Sequence, residues 1–168
     1  MPALCAWVEE VAVLAANVVI IGAGAAGLMC ALTAAGRGAG LMCALTAAGR
    51  GRSVLLLDHA NKGGKKILMS GGWRCNFNNM YCEPANFLSG NPHFCKSALA
   101  RYSQWDFIGL VAKHGVPYHE KKLGQLFCDN KSSDILQMLL AECAEAGVDL
   151  RLDTSFKTIS KQESGYNL

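Results

Sequence analysis

The stretch NVVIIGAGAAG, Asn17–Gly27, decides the fold of this 168-residue chain. Its first half, Asn17–Ile21, is a short β-branched run of the kind that forms a strand buried on both faces of a parallel sheet. Its second half, Gly22–Gly27, has the pattern G-x-G-x-x-G between that strand and a run of Ala, Leu and Met that favours a helix. The three glycines, in order, permit a tight turn, a close approach to a pyrophosphate, and close helix–strand packing. The stretch therefore predicts a dinucleotide-binding βαβ unit, and a glycine-rich turn without a ligand is the alternative.

An acidic residue at the end of the next strand completes this motif. The run SVLLLD, Ser53–Asp58, predicts a second buried strand that ends in a carboxylate. In such units this carboxylate binds ribose hydroxyls about 20 residues after the glycines. Asp58 follows Gly27 by 31 positions, but by 18 when one copy of a 13-residue repeat is left out. The motif is therefore complete apart from an insertion.

The insertion is a perfect tandem copy of the phrase AGLMCALTAAGRG, at Ala26–Gly38 and again at Ala39–Gly51. One helix through both copies would be longer by about 20 Å, and its added apolar face would be turned by about 220°. Either change would prevent Ser53 from returning to the sheet. We predict that the first copy is the motif helix and that the second lies outside the sheet with exposed apolar residues.

Composition is that of an ordinary globular domain, with 51% hydrophobic and 17% charged residues. The net charge of +3 is small, and the densest basic cluster is only Lys62, Lys65 and Lys66. Charge therefore predicts no nucleic-acid partner. Eight cysteines without a secretion signal or a C-x-x-C pair indicate reduced thiols. We expect no metal site; a zinc site built from four scattered residues is a disfavoured alternative: Cys75, Cys82, His93 and Cys95.

The beginning of the chain has the wrong order for a signal peptide, because Glu9 and Glu10 precede the apolar run and no Lys or Arg does. The uncharged stretch Val11–Gly36 is long enough to span a membrane. A buried strand followed by a buried helix gives the same uncharged stretch, and glycines dilute its hydrophobicity. We expect a cytoplasmic protein without a membrane partner.

Farther along, Asn61–Asn91 is rich in Gly, Asn and Ser and predicts a long functional loop. Periodicity and turn residues predict the other elements as two helices and four strands: helices at Cys95–His114 and Ser132–Ala146, and strands at Val116–His119, Gln125–Cys128, Val148–Leu152 and Phe156–Ser160.

The most specific stretch is KGGKKILMSGGWRCNFNN, Lys62–Asn79. Its glycines allow close backbone approach, and Lys65, Lys66 and Arg74 can neutralise phosphate. A solvated, glycine-rich basic loop is the alternative.

These motifs together resemble the HI0933-like (YhiN/BaiN-type) family of FAD-dependent, NAD(P)H-linked oxidoreductases. The G-A-G-A-A-G turn, the acid after V-L-L-L, and K-K-I-L-M-S-G-G-x-R-C-N-F-x-N carry the resemblance. It extends from about Asn17 to the end of the chain. The family implies an α/β, three-layer Rossmann-like FAD/NAD(P)-binding domain of the glutathione-reductase type, into which a β-rich domain is inserted.

The resemblance also implies a set of cofactor-binding residues. They comprise the pyrophosphate turn, the ribose acid and its neighbour, two phosphate-side lysines, the flavin loop and a residue whose backbone meets the adenine: Gly22, Ala23, Gly24, Ala25, Ala26, Gly27, Asp58, His59, Lys65, Lys66, Ser70, Gly71, Gly72, Arg74, Cys75, Asn76 and Phe156. No catalytic residue is assigned. A low-pKa redox role for Cys75 beside Arg74 is possible, with small-residue packing as the favoured alternative.

The chain departs from the family in three respects, which are the duplication, Trp73 in place of a third glycine, and a shorter length. We therefore expect an N-terminal portion of the family protein: residues 1–16 as an atypical leader and 17–168 as an incomplete FAD-binding domain. The inserted β-rich domain and the C-terminal segment that closes the FAD site are expected to be absent. An indole at Trp73 is expected to obstruct the flavin loop.

The expected function is flavin-mediated hydride or electron transfer to a small-molecule substrate, with FAD as cofactor and NAD(P)H as a candidate electron donor. Whether the chain alone is an active enzyme, and in what oligomeric state, is left open. The alternatives are a non-catalytic remnant, an inactive adenine-dinucleotide-binding module, and a simple NAD(P)-binding Rossmann module.

Overall fold

The computed structural model describes residues 15–26, 52–155 and 157–168, and its central element is a parallel sheet. The strands are β1 (Val18–Ile21), β2 (Val54–Leu57) and β6 (Asp149–Arg151), in the order β1-β2-β6. The register pairs Val18 with Val54, so β1 and β2 lie side by side despite the insertion between them in sequence. Ser53 returns to the start of β1, where its backbone and side chain bond Asn17.

A second sheet is antiparallel, and its strands are interspersed with the helices along the chain. It consists of β3 (Asn76–Asn79), β5 (Gln125–Cys128) and β4 (Tyr118–Glu120), in that spatial order. The strands β7 (Ser160–Gln162) and β8 (Gly165–Asn167) form a separate hairpin.

Four α-helices complete the described part of the chain: α1 (Lys65–Met69), α2 (Lys96–Arg101), α3 (Gln104–Lys113) and α4 (Ser132–Glu145). Short 3-10 turns lie at Ser70–Trp73, Pro84–Asn86 and Lys122–Gly124.

The core forms where α4 packs against the parallel sheet. All four residues of β2 are buried, as expected for a strand covered on both faces. Leu56 from β2 and Leu139 from α4 are at most 1% exposed, and Val111 from α3 is fully buried. The helix α4 ends at Glu145, and Gly147, the terminator that the sequence predicts, follows with a φ of +74°.

Three expectations about the elements are wrong. The stretch Asn61–Asn91 is not one loop, since it contains α1 and β3. The helix expected over Cys95–His114 is two helices, because Ser103 begins a new one: its backbone N–H and its hydroxyl both bond Asp106 Oδ2 at 2.7 Å. The strand expected over Phe156–Ser160 begins only at Ser160.

Candidate functional site

The predicted phosphate turn and the predicted ribose acid meet at the carboxyl ends of β1 and β2. Gly22 has a φ of +103°, a conformation that glycine adopts without strain. The backbone N–H of Ala23 donates to Asp58 Oδ2 at 2.6 Å, and that of Ala60 donates to Asp58 Oδ1 at 2.8 Å. Asp58 therefore holds the glycine turn directly, a contact that the sequence did not predict.

The Asp58 carboxylate is anionic at neutral pH. Its pKa lies below the ordinary value, chiefly because Ala60 donates a backbone hydrogen bond. Burial acts in the opposite direction, while the Ala23 N–H and the neighbouring His59 and Lys65 lower the pKa further. The side chain is 12% exposed, whereas the neighbouring His59 is 87% exposed. A carboxylate has about four acceptor positions, so positions remain for ligand hydroxyls beside the two that the backbone uses.

A cavity of about 260 Å³ opens beside this carboxylate. Its lining combines the ends of the three parallel strands: Ile21, Gly22, Leu57, Asp58, Thr154 and Ser155, together with His59. Thr154 and Ser155 follow β6, and the sequence analysis did not single them out. Their position could have been inferred, because the carboxyl ends of parallel strands meet at one edge, where ligands of such sheets bind.

The glycine pair after Asp58 docks against the phosphate turn. The N–H of Gly64 donates to the carbonyl of Ala23 at 2.7 Å. A Cβ on Gly63 would lie 3.4 Å from Ala23, and one on Gly64 would lie 2.4 Å from Leu136 Cδ1. These glycines thus fix α1 against both the turn and α4. Lys65 and Lys66, at the start of α1, are exposed beside that turn.

The predicted flavin loop has an unusual backbone. Gly71, Gly72 and Trp73 have φ values of +58°, +63° and +72°, and Cys75 has +49°. A Cβ on Gly71 would lie 2.7 Å from the backbone N of Asn76, whereas one on Gly72 would meet open space. Trp73 is the residue that stands where the family has glycine, and its indole is 70% exposed.

A second cavity, of about 420 Å³, brings several predicted residues together. Six residues that line it are among the predicted cofactor-binding residues: Ala25, Ala26, Lys66, Ser70, Cys75 and Asn76. Its apolar wall includes Phe77, Phe107 and Leu139, which were not among the predicted site residues. Ser70 is held by a hydrogen bond from its hydroxyl to the carbonyl of Ile67 at 2.8 Å.

Cys75 does not have the environment of an activated thiol. It is 4% exposed, and burial raises its pKa despite a hydrogen bond with Ser70. Its neighbour Cys128 is also buried, and burial is the main cause that raises its pKa to about 12. Arg74 is exposed and does not offset this effect. The low-pKa hypothesis for Cys75 is therefore wrong, because desolvation outweighs the adjacent positive charge.

Some predictions lie outside the described residues: Gly27, Phe156, most of the 1–16 leader and nearly all of the duplicated segment. Where the structure does describe the chain, Cys75, Cys82, His93 and Cys95 do not assemble into a metal site. Within the described residues, none of five cysteines forms a disulfide: Cys75, Cys82, Cys95, Cys128 and Cys143. No helix within the described ranges has the length and apolar character needed to cross a membrane.

Solved structures support the fold. The chain resembles 3-ketosteroid-Δ4-(5α)-dehydrogenase from Rhodococcus jostii RHA1 with a TM-score of 0.57 at 14% identity, covering 89% of this chain and 40% of that one. It also resembles THI4 from Thermovibrio ammonificans with a TM-score of 0.51 at 14% identity, covering 90% of this chain and 44% of that one. The expected fold class, a Rossmann-type FAD-binding domain, is confirmed.

Curated relatives are much closer in sequence. The ribosomal RNA dihydrouridine synthase of Escherichia coli K12 is 51% identical over 152 residues, which is 90% of this chain and 35% of the relative. The protein of the same name from Haemophilus influenzae is 49% identical over 143 residues, 85% of this chain and 32% of the relative. The chain thus spans about a third of the length of these relatives.

These names contradict the expectation of no nucleic-acid partner, and that expectation is wrong. It failed because it rested on total charge, whereas an RNA partner requires only a local group of cations. The fold and the family support the flavoprotein interpretation at the level of the FAD-binding domain. The model of the HI0933-like protein Rossmann domain matches residues 34–168, and the chain belongs to this family.

Proposed function

We propose that this chain is the FAD-binding part of a flavin-dependent oxidoreductase that reduces uridine in ribosomal RNA. The observation that carries the FAD proposal is the Asp58 carboxylate, which bonds the Ala23 N–H beside a cavity at the ends of β1, β2 and β6. Two relatives that are 51% and 49% identical to this chain are named ribosomal RNA dihydrouridine synthase, and this supports the RNA substrate. NAD(P)H is the proposed electron donor, and the cytoplasm the proposed location.

The residues present fit an adenine dinucleotide. Among the described residues, no atom lies within 4 Å of a Cβ built at Gly22 or Gly24, which fits a turn that a ligand approaches closely. The turn offers backbone N–H groups for a pyrophosphate. Asp58, as an acceptor-only carboxylate, suits ribose hydroxyls. Exposed Lys65 and Lys66 can neutralise phosphate charge.

When bound and reduced by the proposed NAD(P)H donor, FAD would supply a hydride, which together with one proton converts uridine to dihydrouridine. The chain's own contribution is to hold and orient the cofactor. Asp58 anchors the glycine turn, the Gly63–Gly64 pair fixes α1 against it, and the Ser70–Asn76 loop lines the second cavity as the proposed flavin side of the site.

The first test is FAD affinity of the purified chain, followed by quenching of flavin fluorescence. Asp58→Asn replaces one acceptor oxygen by a donor, so Ala23 or Ala60 loses its partner. A hydrogen bond to a charged group contributes about 1.5–3 kcal/mol, so we expect FAD affinity to fall by roughly tenfold or more. Asp149→Asn is the matched control, because Asp149 pairs with Arg151 on the surface.

Equal dissociation constants for the parent chain, Asp58→Asn and Asp149→Asn would contradict the assigned role of Asp58. For the RNA substrate, the chain is incubated with FAD, NADPH and uridine-containing ribosomal RNA. A gain of two hydrogens per modified uridine, measured by mass spectrometry, supports the reaction. FAD binding without that gain would favour a dinucleotide-binding module that lacks activity on its own.

A further inference from the structure

The β4–β5 hairpin carries a compact group of exposed cations and apolar side chains that the flavin site does not use. We define the hairpin surface as His119, Lys121, Lys122, Leu123 and Tyr81. We propose that this surface binds a single-stranded segment of RNA next to the flavin loop. The proposal rests on the proposed function, since it assigns a contact surface to that same RNA substrate.

Two side chains of the hairpin surface, His119 and Lys121, are held in place. The ring of His119 stacks on Phe127 at 6.4 Å between centroids, and Lys121 Nζ lies 4.8 Å from the centroid of the same ring. His119 Nδ1 is 2.6 Å from Asp129 Oδ1, which fixes the orientation of the imidazole and leaves its other ring nitrogen for a ligand. An ordered lysine and an ordered imidazole on one sheet face form a platform for phosphates.

The positive charge of this platform comes from Lys121 and Lys122, because Asp129 pairs with His119. Glu120 alternates with His119 and Lys121 along β4, so it lies on the opposite face of the strand. Lys122 follows directly in the turn and is exposed. The surface is therefore locally positive although the chain as a whole is nearly neutral.

The turn of the hairpin presents apolar groups in a fixed position. Leu123 is 85% exposed and has a φ of +57°, an unfavourable conformation for a branched side chain. Asn79 holds the turn by donating to the Leu123 carbonyl at 3.0 Å. Tyr81 is 63% exposed and covers Gly124, where a Cβ would lie 2.5 Å from its ring. An exposed, anchored aromatic ring is the group on which unpaired bases stack.

The hairpin surface adjoins the proposed flavin loop. Phe127, which supports His119 and Lys121, also contacts Gly71: a Cβ there would lie 2.9 Å from Phe127 Cε1. The register places Asn76 opposite Phe127 across the sheet. An RNA strand lying on the hairpin would thus pass beside the loop where its uridine is proposed to react.

The test measures RNA affinity of the full 168-residue chain by fluorescence anisotropy, with a labelled, uridine-containing single-stranded oligonucleotide and its duplex. In Lys121→Ala/Lys122→Ala we expect affinity to fall about tenfold at low salt. The slope of log K against log salt should decrease by about 1.4, since each phosphate contact on a single strand contributes ~0.7. Lys157→Ala/Lys161→Ala, on and beside β7, removes the same charge elsewhere and is the matched control.

Tyr81→Ala should also weaken single-strand binding about tenfold, whereas Tyr81→Phe should retain it, because stacking needs the ring and not the hydroxyl. Equal losses in the two double-lysine variants, or no RNA binding by the parent chain, would overturn the proposal. A preference for the duplex would overturn it as well. FAD affinity is measured in parallel. RNA binding that depends on Lys121 and Lys122, in a chain that does not bind FAD, refutes the flavin proposal alone. FAD binding without such RNA binding refutes the hairpin surface alone.

Discussion

Trp73 has a backbone conformation that is unfavourable for a residue with a side chain. Its φ of +72° lies in the left-handed region, where a side chain costs about 1–2 kcal/mol. The sequence predicted an obstructing indole, but 70% of the residue is exposed. The strain that the structure reveals is therefore in the backbone, and the effect of the indole on flavin binding stays a prediction.

Replacing Trp73 by glycine should relieve this strain. Because glycine also gains freedom in the unfolded chain, we expect a net stabilisation of about 1 kcal/mol, measured as the free energy of unfolding in urea. Phe94→Gly is the control, since Phe94 is 79% exposed and is not among the residues with positive φ. It should destabilise the chain; similar losses in both variants would refute the strain argument.

At the scale of the elements, α3 and α4 are joined by a buried charge. Glu142 on α4 is 1% exposed, and its Oε1 lies 2.6 Å from Lys113 Nζ and 2.5 Å from His114 Nε2, both at the end of α3. Burial opposes ionisation of Glu142, but hydrogen bonds with Lys113 and His114 lower its pKa overall. This cluster was not predicted from the sequence, because Glu142 follows His114 by 28 residues and all three are residue types that are common on surfaces.

Glu142→Gln should destabilise the fold by about 1.5–3 kcal/mol, because it replaces the carboxylate that bonds Lys113 and His114 by a neutral amide. The lowered pKa makes Glu142 stabilising above its ordinary value of 4.5, and this contribution is lost as pH falls below that value. The free energy of unfolding, measured by chemical denaturation at pH values above and below 4.5, should therefore vary less with pH in Glu142→Gln than in the parent. Glu163→Gln, on an exposed turn, is the control; a profile unchanged from the parent in Glu142→Gln would contradict the cluster's role.

The elements that the sequence predicted well are those with strong local patterns. The β-branched run at β1 and the apolar run at β2 gave the parallel pair, and Gly147 marked the end of α4. The break between α2 and α3 was missed because the apolar periodicity continues across it while Ser103 caps the second helix. Likewise, β3 lacks the usual strand composition: its asparagines are satisfied by tertiary partners, such as the Gln104 carbonyl that Asn78 contacts at 2.8 Å.

At the scale of the whole molecule, the order of the motifs predicted the fold class. The small net charge, in contrast, led to the wrong expectation that the chain has no nucleic-acid partner. A glycine turn followed by an acid specifies a local geometry, which the bond between Ala23 and Asp58 realises. A partner surface is assembled from distant segments, as Tyr81 and the β4–β5 turn would be in the proposed RNA-binding surface, and total charge does not reveal it.

The duplication is a whole-molecule feature because it separates the two halves of the motif. Deleting Ala39–Gly51 returns Asp58 to 18 positions after Gly27, and we expect a higher soluble yield and tighter FAD binding. Both are measured against Leu41→Ser/Met42→Ser/Leu45→Ser, which keeps the length but lowers the apolar content of the second copy. Equal yield and equal FAD affinity in the parent and the deletion would show that the insertion is harmless.

The strand β1 lies at one edge of the described parallel sheet, with Val19 and Ile21 36% and 50% exposed. Along such an edge, backbone groups on one side offer hydrogen bonds to any extended segment that approaches. The glycine turn is attached to the end of this strand, so whatever covers the edge also steadies the turn.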